Sequence, residues 1–296
     1  MSISRKLIRE LFHFGYLRRR RARAMIITTR EHRRDRSMPI DRRTFFRGAI
    51  ACGCCFKIGA AAAESGQHGI PGAPHWTYEG AQGPEHWGEL QADFRVCQLG
   101  LEQTPIDLTG GLQGNPGSFR YDYKPLPLRI VNNGHTIQVN ADTGSFCVIG
   151  DTRFDLLQLH FHHPSEHLLS GNNFDLECHF VHRSDSGALA VSGVFIRPGA
   201  HNATLKSLFD AMPNTEGSEI RVADTIDIAA IMPPENGYFR YMGSLTTPPC
   251  SEGLTWTVHK QPIEASVEQI RQFATLFPKN ARPVQRRNRR FLIDAT

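Results

Sequence analysis

Leu156-Leu157-Gln158-Leu159-His160-Phe161-His162 and, one loop later, Asp175-Leu176-Glu177-Cys178-His179-Phe180-Val181 are two runs that alternate in period 2. Successive side chains of a strand point to opposite faces. In the first run Gln158, His160 and His162 therefore share one face, and Leu157, Leu159 and Phe161 the other. In the second, Glu177, His179 and Val181 share a face. The segment between them, Pro164 to Asn173, is short enough for an antiparallel return. Residues two apart on a strand are about 6.6 Å apart and neighbouring strands about 4.8 Å, so His160, His162 and His179 can converge on one metal ion and leave a further coordination position open. Three neutral imidazoles leave such an ion its full charge.

Outward from these runs the same texture continues. Leu128-Arg-Ile-Val, Thr136-Ile-Gln-Val and Leu189 to Ile196 read as further strands, and Asn133-Gly134 as a hairpin turn between the first two. Helical periodicity is confined to Ala203–Met212 and Val267–Phe277. With no regular strand–helix alternation, the expectation is a mainly β fold: a single domain on a large twisted, mostly antiparallel central sheet of about ten strands, with a few short peripheral helices. A chain of 296 residues, 40 % hydrophobic and 21 % charged, is long enough to bury a real core and is neither fibrous nor disordered.

The net charge of +5 is unevenly spread. Residues 1–63 carry 16 Lys and Arg against 4 Asp and Glu; the remainder carries 18 against 25, a net of −7. The acidic body excludes a nucleic-acid partner for the folded part. Residues 1–37 read as a basic extension, disordered or untranslated, with Met38 as the start. Asp41-Arg42-Arg43-Thr44-Phe45-Phe46-Arg47 is similar to a twin-arginine export signal. The apolar stretch after it is shorter than the roughly 20 residues a membrane span needs, and Ala61 to Ala63 suit a signal-peptidase cut. Residues 38–63 are thus read as an export signal peptide, in which Cys54 and Cys55 are lost, and residues 71–296 as the functional domain.

Any one histidine has an ordinary reading as a hydrogen-bonded core or surface residue; the third, in register on a partner strand, is what points to a metal. His160-Phe-His162-His-Pro-Ser-Glu166 also fits part of the metal motif of the cupins, a redox-metal fold. The flanking Gly150 and Gly171 stand at other spacings, however, and a second cupin motif is missing downstream.

Between about Trp76 and Pro283 the chain resembles the α-class carbonic anhydrases, of the bacterial exported type. The likeness rests on Gly83-Pro-Glu-His-Trp87, Gln103-Thr-Pro-Ile-Asp107, Asn132-Asn-Gly-His135, His160-Phe-His162, Ser165-Glu-His167, Glu177-Cys-His179 and Gly243-Ser-Leu-Thr-Thr-Pro-Pro249, in the family's order. The resemblance implies reversible hydration of CO2 to bicarbonate and a proton, with Zn2+ held by His160, His162 and His179 and a zinc-bound hydroxide as nucleophile. Thr246 would orient that oxygen while donating to Glu166, Thr247 would help place bicarbonate, and His135 would shuttle the proton, a role suited to an imidazole titrating near neutrality. Gln158, the Asn280 carbonyl and Glu177 would hold His160, His162 and His179 respectively, and Val181, Val191, Leu245 and Trp256 would form the apolar wall for CO2.

Exported members of the family pair cysteines where Cys97 and Cys250 stand; such a bridge would pin the Thr246 loop to the N-terminal segment and needs an oxidising compartment. Cys147 and Cys178 read as buried free thiols. The expected location is periplasmic or secreted, with no stable membrane span in the mature form and a homodimer as one assembly. The competing non-enzyme reading is a binding module that keeps the fold without the metal; the presence of all three histidines with Thr246 and Glu166 counts against it.

Overall fold

The computed structural model describes residues 74–234 and 237–295. The basic extension, the export signal with its cleavage region, and Met38 lie outside the described residues.

Among the described residues the main sheet holds thirteen strands. Its long path runs Glu219–Ile226, Leu126–Asn132, Ile137–Asn140, Thr152–His162, Leu176–Arg183, Leu189–Pro198, Glu252–His259, Tyr238–Ser244, Ile293–Ala295 and Leu112–Gln113. Pairing along it is antiparallel except where Leu189–Pro198 meets Glu252–His259 and where Ile293–Ala295 meets Leu112–Gln113. The sheet is therefore mixed, as a long connection through the Ala203–Asp210 helix and the edge strand Glu219–Ile226 allows.

The central strands are buried on both faces, and each face has its own core. On one, Leu159, Phe161, Cys178, Phe180, Val194 and Ile196 pack under two helices, Ala203–Asp210 and Val267–Leu276, which supply Leu205, Leu208, Phe209, Ile270 and Phe273. The helices start where local chemistry allows: the Asn202 side chain accepts from Leu205 N, and Ser266 with Gln269 forms a capping box. On the other face Ile106, Val181, Val191, Phe195, Tyr241 and Trp256 form a second core beside the histidines.

The Asn133-Gly134 turn joins Leu126–Asn132 to Ile137–Asn140 as its sequence implies. Gly134 takes φ 83°, and Asn133 Oδ1 accepts from the backbone of both His135 and Thr136. One detail departs from simple alternation. Between Thr152–His162 and Leu176–Arg183 the register slips, with Leu156 opposite His182 and Gln158 opposite Val181. Leu157 is the extra residue of this bulge; it lines the cavity beside Gln158, and Leu156, not Leu157, joins Leu159 and Phe161 in the helix-covered core.

Cys97 and Cys250 are joined by a disulfide spanning 153 residues, while Cys147 and Cys178 are buried free thiols. Opening a loop of that size costs about 4–5 kcal/mol in the chain-entropy account; the Cys97→Ser, Cys250→Ser double variant is expected to lose stability of that order in urea unfolding. His182 is fully buried, donating from Nδ1 to the Ala190 carbonyl and accepting at Nε2 from the Tyr123 hydroxyl at 2.8 Å. Burial lowers its pKa from 6.5 to about 4. The unfolded chain thus takes up this proton first as pH falls, so the stabilisation is complete above pH 6.5 and is lost between 6.5 and 4, by about 3 kcal/mol. A His182→Gln variant should show a flatter stability–pH curve over that window.

Candidate metal centre

His160 sits directly opposite His179 across the Thr152–His162 and Leu176–Arg183 ladder, and His162 opposite Glu177. This register brings the ring centroids of His160, His162 and His179 to within 4.5–5.3 Å of one another, and one nitrogen from each lies within 4.8 Å of the others.

The remaining nitrogen of each ring is engaged. His160 Nδ1 donates to Gln158 Oε1 at 2.8 Å, His162 Nδ1 to the Asn280 carbonyl at 2.7 Å and His179 Nε2 to Glu177 Oε1 at 2.9 Å. Each acceptor fixes a neutral tautomer whose free lone pair, on Nε2, Nε2 and Nδ1, faces the shared space. His162 Nε2 is buried there with no hydrogen-bond partner. Burial lowers the pKa of all three rings, that of His162 to about 4. A closed set of neutral imidazoles with one unpartnered, buried nitrogen suits zinc.

Glu177 is a fully occupied carboxylate. Oε1 accepts from His179 and, at 2.7 Å, from His167 Nδ1; Oε2 accepts from the backbone N–H groups of Glu166 and His167. Burial alone would raise its pKa, but His167 and His179 override that and hold it well below the usual carboxylate range. Gly193, paired with His179 on the next strand, leaves room for it, since a Cβ there would meet Glu177 Oε1 at 2.8 Å. His167, Glu177 and His179 form a second cluster of ligating types, but both nitrogens of His167 are taken, Nε2 by the Tyr241 hydroxyl at 2.6 Å. This cluster is a hydrogen-bond relay, not a second metal centre.

Glu166 Oε1 accepts from the Arg282 backbone N–H at 2.9 Å, and Oε2 lies 3.5 Å from His162 Nε2. Burial raises its pKa to about 7 against the opposing pull of His179, the Arg282 amide and the Thr246 hydroxyl. Val181, Val191, Leu245, Trp256, Thr246 and Thr247 all line the cavity that the three histidines floor. The loop carrying Thr246 and Thr247 continues through a cis Pro248–Pro249 bond into the disulfide at Cys250.

His135 lies in the wall of this cavity, with its ring stacked on Trp76 at 3.6 Å and 9°. Burial and the nearby His75 lower its pKa to about 4. Residues that sequence reasoning gave no role include His167 and Tyr241, which extend the Glu177 relay, Arg282, which anchors Glu166, and Trp76. None shares a periodicity with the histidines; their roles come from contacts between segments distant in sequence.

Residues 82–293 match the family model described as eukaryotic-type carbonic anhydrase. A carbonic anhydrase from a Nostoc species is 48 % identical over 227 residues, covering 75 % of this chain and 86 % of that protein. Among solved structures, the α-carbonic anhydrase of Thermovibrio ammonificans in complex with sulfanilamide superposes with a TM-score of 0.73 at 40 % identity, over 75 % of this chain and all of that one. A dioscorin complexed with ascorbate gives 0.70 at 32 % identity, over 75 % and 98 %. Replacing Glu177 by Gln removes the charge that orients His179, and is expected to weaken zinc binding about 10- to 100-fold in chelator competition while leaving the circular dichroism spectrum unchanged.

Proposed function

The chain belongs to the eukaryotic-type, or α, carbonic anhydrase family and is a carbonic anhydrase; from that premise we propose that His160, His162 and His179 hold Zn2+ for the reversible hydration of CO2. The observation that carries this reading is the set of three convergent imidazoles, each with its outer nitrogen committed to a different acceptor. Bound there, zinc supplies a Lewis acid that brings the pKa of a coordinated water to about 7, a value known from this family's own zinc sites.

The chain's residues do the positioning. Thr246 would donate its hydroxyl proton to Glu166, leaving its own oxygen to accept from the attacking oxygen and so to aim that oxygen's lone pair into the cavity. Glu166 is held for that purpose by the Arg282 backbone N–H. Val181, Val191, Leu245 and Trp256 face the same space and offer CO2, which has no proton to donate, an apolar wall that excludes water. To Thr247, which lines the same space, we assign the holding of bicarbonate.

His135 is the only other imidazole lining the cavity among the described residues, and we assign it the outward passage of the proton. Held neutral against Trp76, it must turn from that ring toward the cavity to take the proton up. The Cys97–Cys250 disulfide supports a periplasmic or secreted location, as does the basic twin-arginine head. No helix of the described residues is long and apolar enough to cross a membrane.

Stopped-flow CO2 hydration alongside zinc analysis tests the assignment. The expected result is activity with about one zinc per chain, both lost in His179→Ala. Undiminished activity in the metal-free protein or in His179→Ala would overturn it.

A further inference from the structure

On the sheet face turned away from Trp256, the paired strands Tyr238–Ser244 and Glu252–His259 place Arg240 opposite Thr257 and Tyr238 opposite His259. Arg240 is 7 % exposed, Thr257 0 % and His259 3 %. Polar atoms of all three are buried without a hydrogen-bond partner: Arg240 Nε and Nη2, Thr257 Oγ1, and both ring nitrogens of His259. Arg240 makes a single long hydrogen bond, from Nη1 to the Pro116 carbonyl at 3.5 Å, and its guanidinium lies 4.9 Å from the Tyr238 ring and 5.8 Å from that of Phe119. No carboxylate lies within ion-pair distance of it among the described residues.

A buried charge without a counter-ion is costly, and water satisfies its hydrogen bonds without cancelling the charge. The two unpartnered nitrogens are not an arbitrary pair. Nε and Nη2 form one flat edge of the guanidinium, whose parallel N–H groups match two oxygens of a planar oxyanion. We propose that Arg240, with the Thr257 hydroxyl and the His259 ring, forms a site for a small planar monovalent oxyanion of the bicarbonate and nitrate class. Arg240 also borders a surface groove with Asn288, Arg289 and Arg290, whose positive field draws anions to this part of the sheet. Burial and Arg240 together lower the His259 pKa to about 4, so at neutral pH the ring is uncharged and has one N–H to donate and one lone pair. The site shares no lining residue with the three-histidine cavity and stands whether or not the zinc assignment does.

Nitrate is the probe, titrated against chloride at constant ionic strength while Tm is followed, in the zinc-loaded protein and in Arg240→Lys, which keeps the charge and removes the two-nitrogen edge. Nitrate bound at zinc would shift both proteins equally, so the difference reports the Arg240 site. The expected result is an extra rise of about 3–6 °C in the parent at ten times the dissociation constant, growing with the logarithm of nitrate concentration and absent from Arg240→Lys. Thr257→Val, which keeps Arg240, should weaken the same binding about tenfold. A crystal structure in nitrate should show trigonal density on the Nε–Nη2 edge. Equal shifts in parent and Arg240→Lys, or ordered water alone on that edge in the nitrate crystal, would overturn the proposal.

Discussion

The structure depends on one register: His160 opposite His179 on two adjacent central strands. Both faces of these strands are buried, one under helices and the other around the cavity, so a slip by one residue would push the imidazoles into the apolar core and bring Leu159, Phe161 and Phe180 into the cavity. Neither face would accept that exchange. The bulge at Leu157 marks where the register is allowed to shift: it falls before His160, so the strand changes twist there without disturbing the histidines, and the displaced leucine becomes cavity wall.

From that register outward, the centre is built as a set of commitments on the far sides of the rings. Gln158, the Asn280 carbonyl and Glu177 each take one ring N–H, and the last two are held in turn. Asn280 donates to the carbonyls of Phe161 and His135 and accepts from the backbone of His163. Glu177 is filled by four donors, and His167 passes the constraint on to Tyr241. Buried polar groups on this scale are tolerable only when satisfied. Those left open include His162 Nε2, where a metal fits, and the group around Arg240, beside single atoms of Tyr78, Gln103, Arg129, Glu166, Arg282 and Asp294.

Much of this was legible before any coordinates. Period-2 alternation placed Glu177 on the face of His179 and Leu159 with Phe161 on the other, and the Asn133-Gly134 pair announced its turn. The resemblance, not the periodicity, supplied the role of Gln158 and singled out Asn280, Thr246 and the cysteine pairing. What stayed hidden had a physical reason in each case. The mostly exposed edge strand Glu219–Ile226 alternates only over its first four residues, because a register shift between Val222 and Thr225 breaks the period. The parallel pairing of Leu189–Pro198 with Glu252–His259 joins segments some sixty residues apart, and no local pattern encodes it. The low pKa of His135 follows from its burial against Trp76 and from His75, both brought to it by the folding of the N-terminal segment over the cavity.

A dioscorin complexed with ascorbate shares this fold, so the fold alone does not argue catalysis. The argument rests on how the chain divides rigidity. Arg282 donates side-chain hydrogen bonds to the carbonyls of Thr104 and Cys97, and its backbone N–H to Glu166. The disulfide ties Cys97 to the loop that carries Thr246, so both partners of the Thr246–Glu166 pair are braced by one N-terminal segment. Across the cavity, His135 has no such brace on its ring: only stacking holds it, and its pKa is low only while it is buried against Trp76. Under the proposed function, the group that orients the oxygen is thus anchored through Glu166 and the Arg282 backbone, whereas the group that carries the proton out is held by a contact that a single rotation breaks. On that proposal, turning from Trp76 would expose the ring, reverse the desolvation and return its pKa toward neutrality, where proton uptake and release are both accessible.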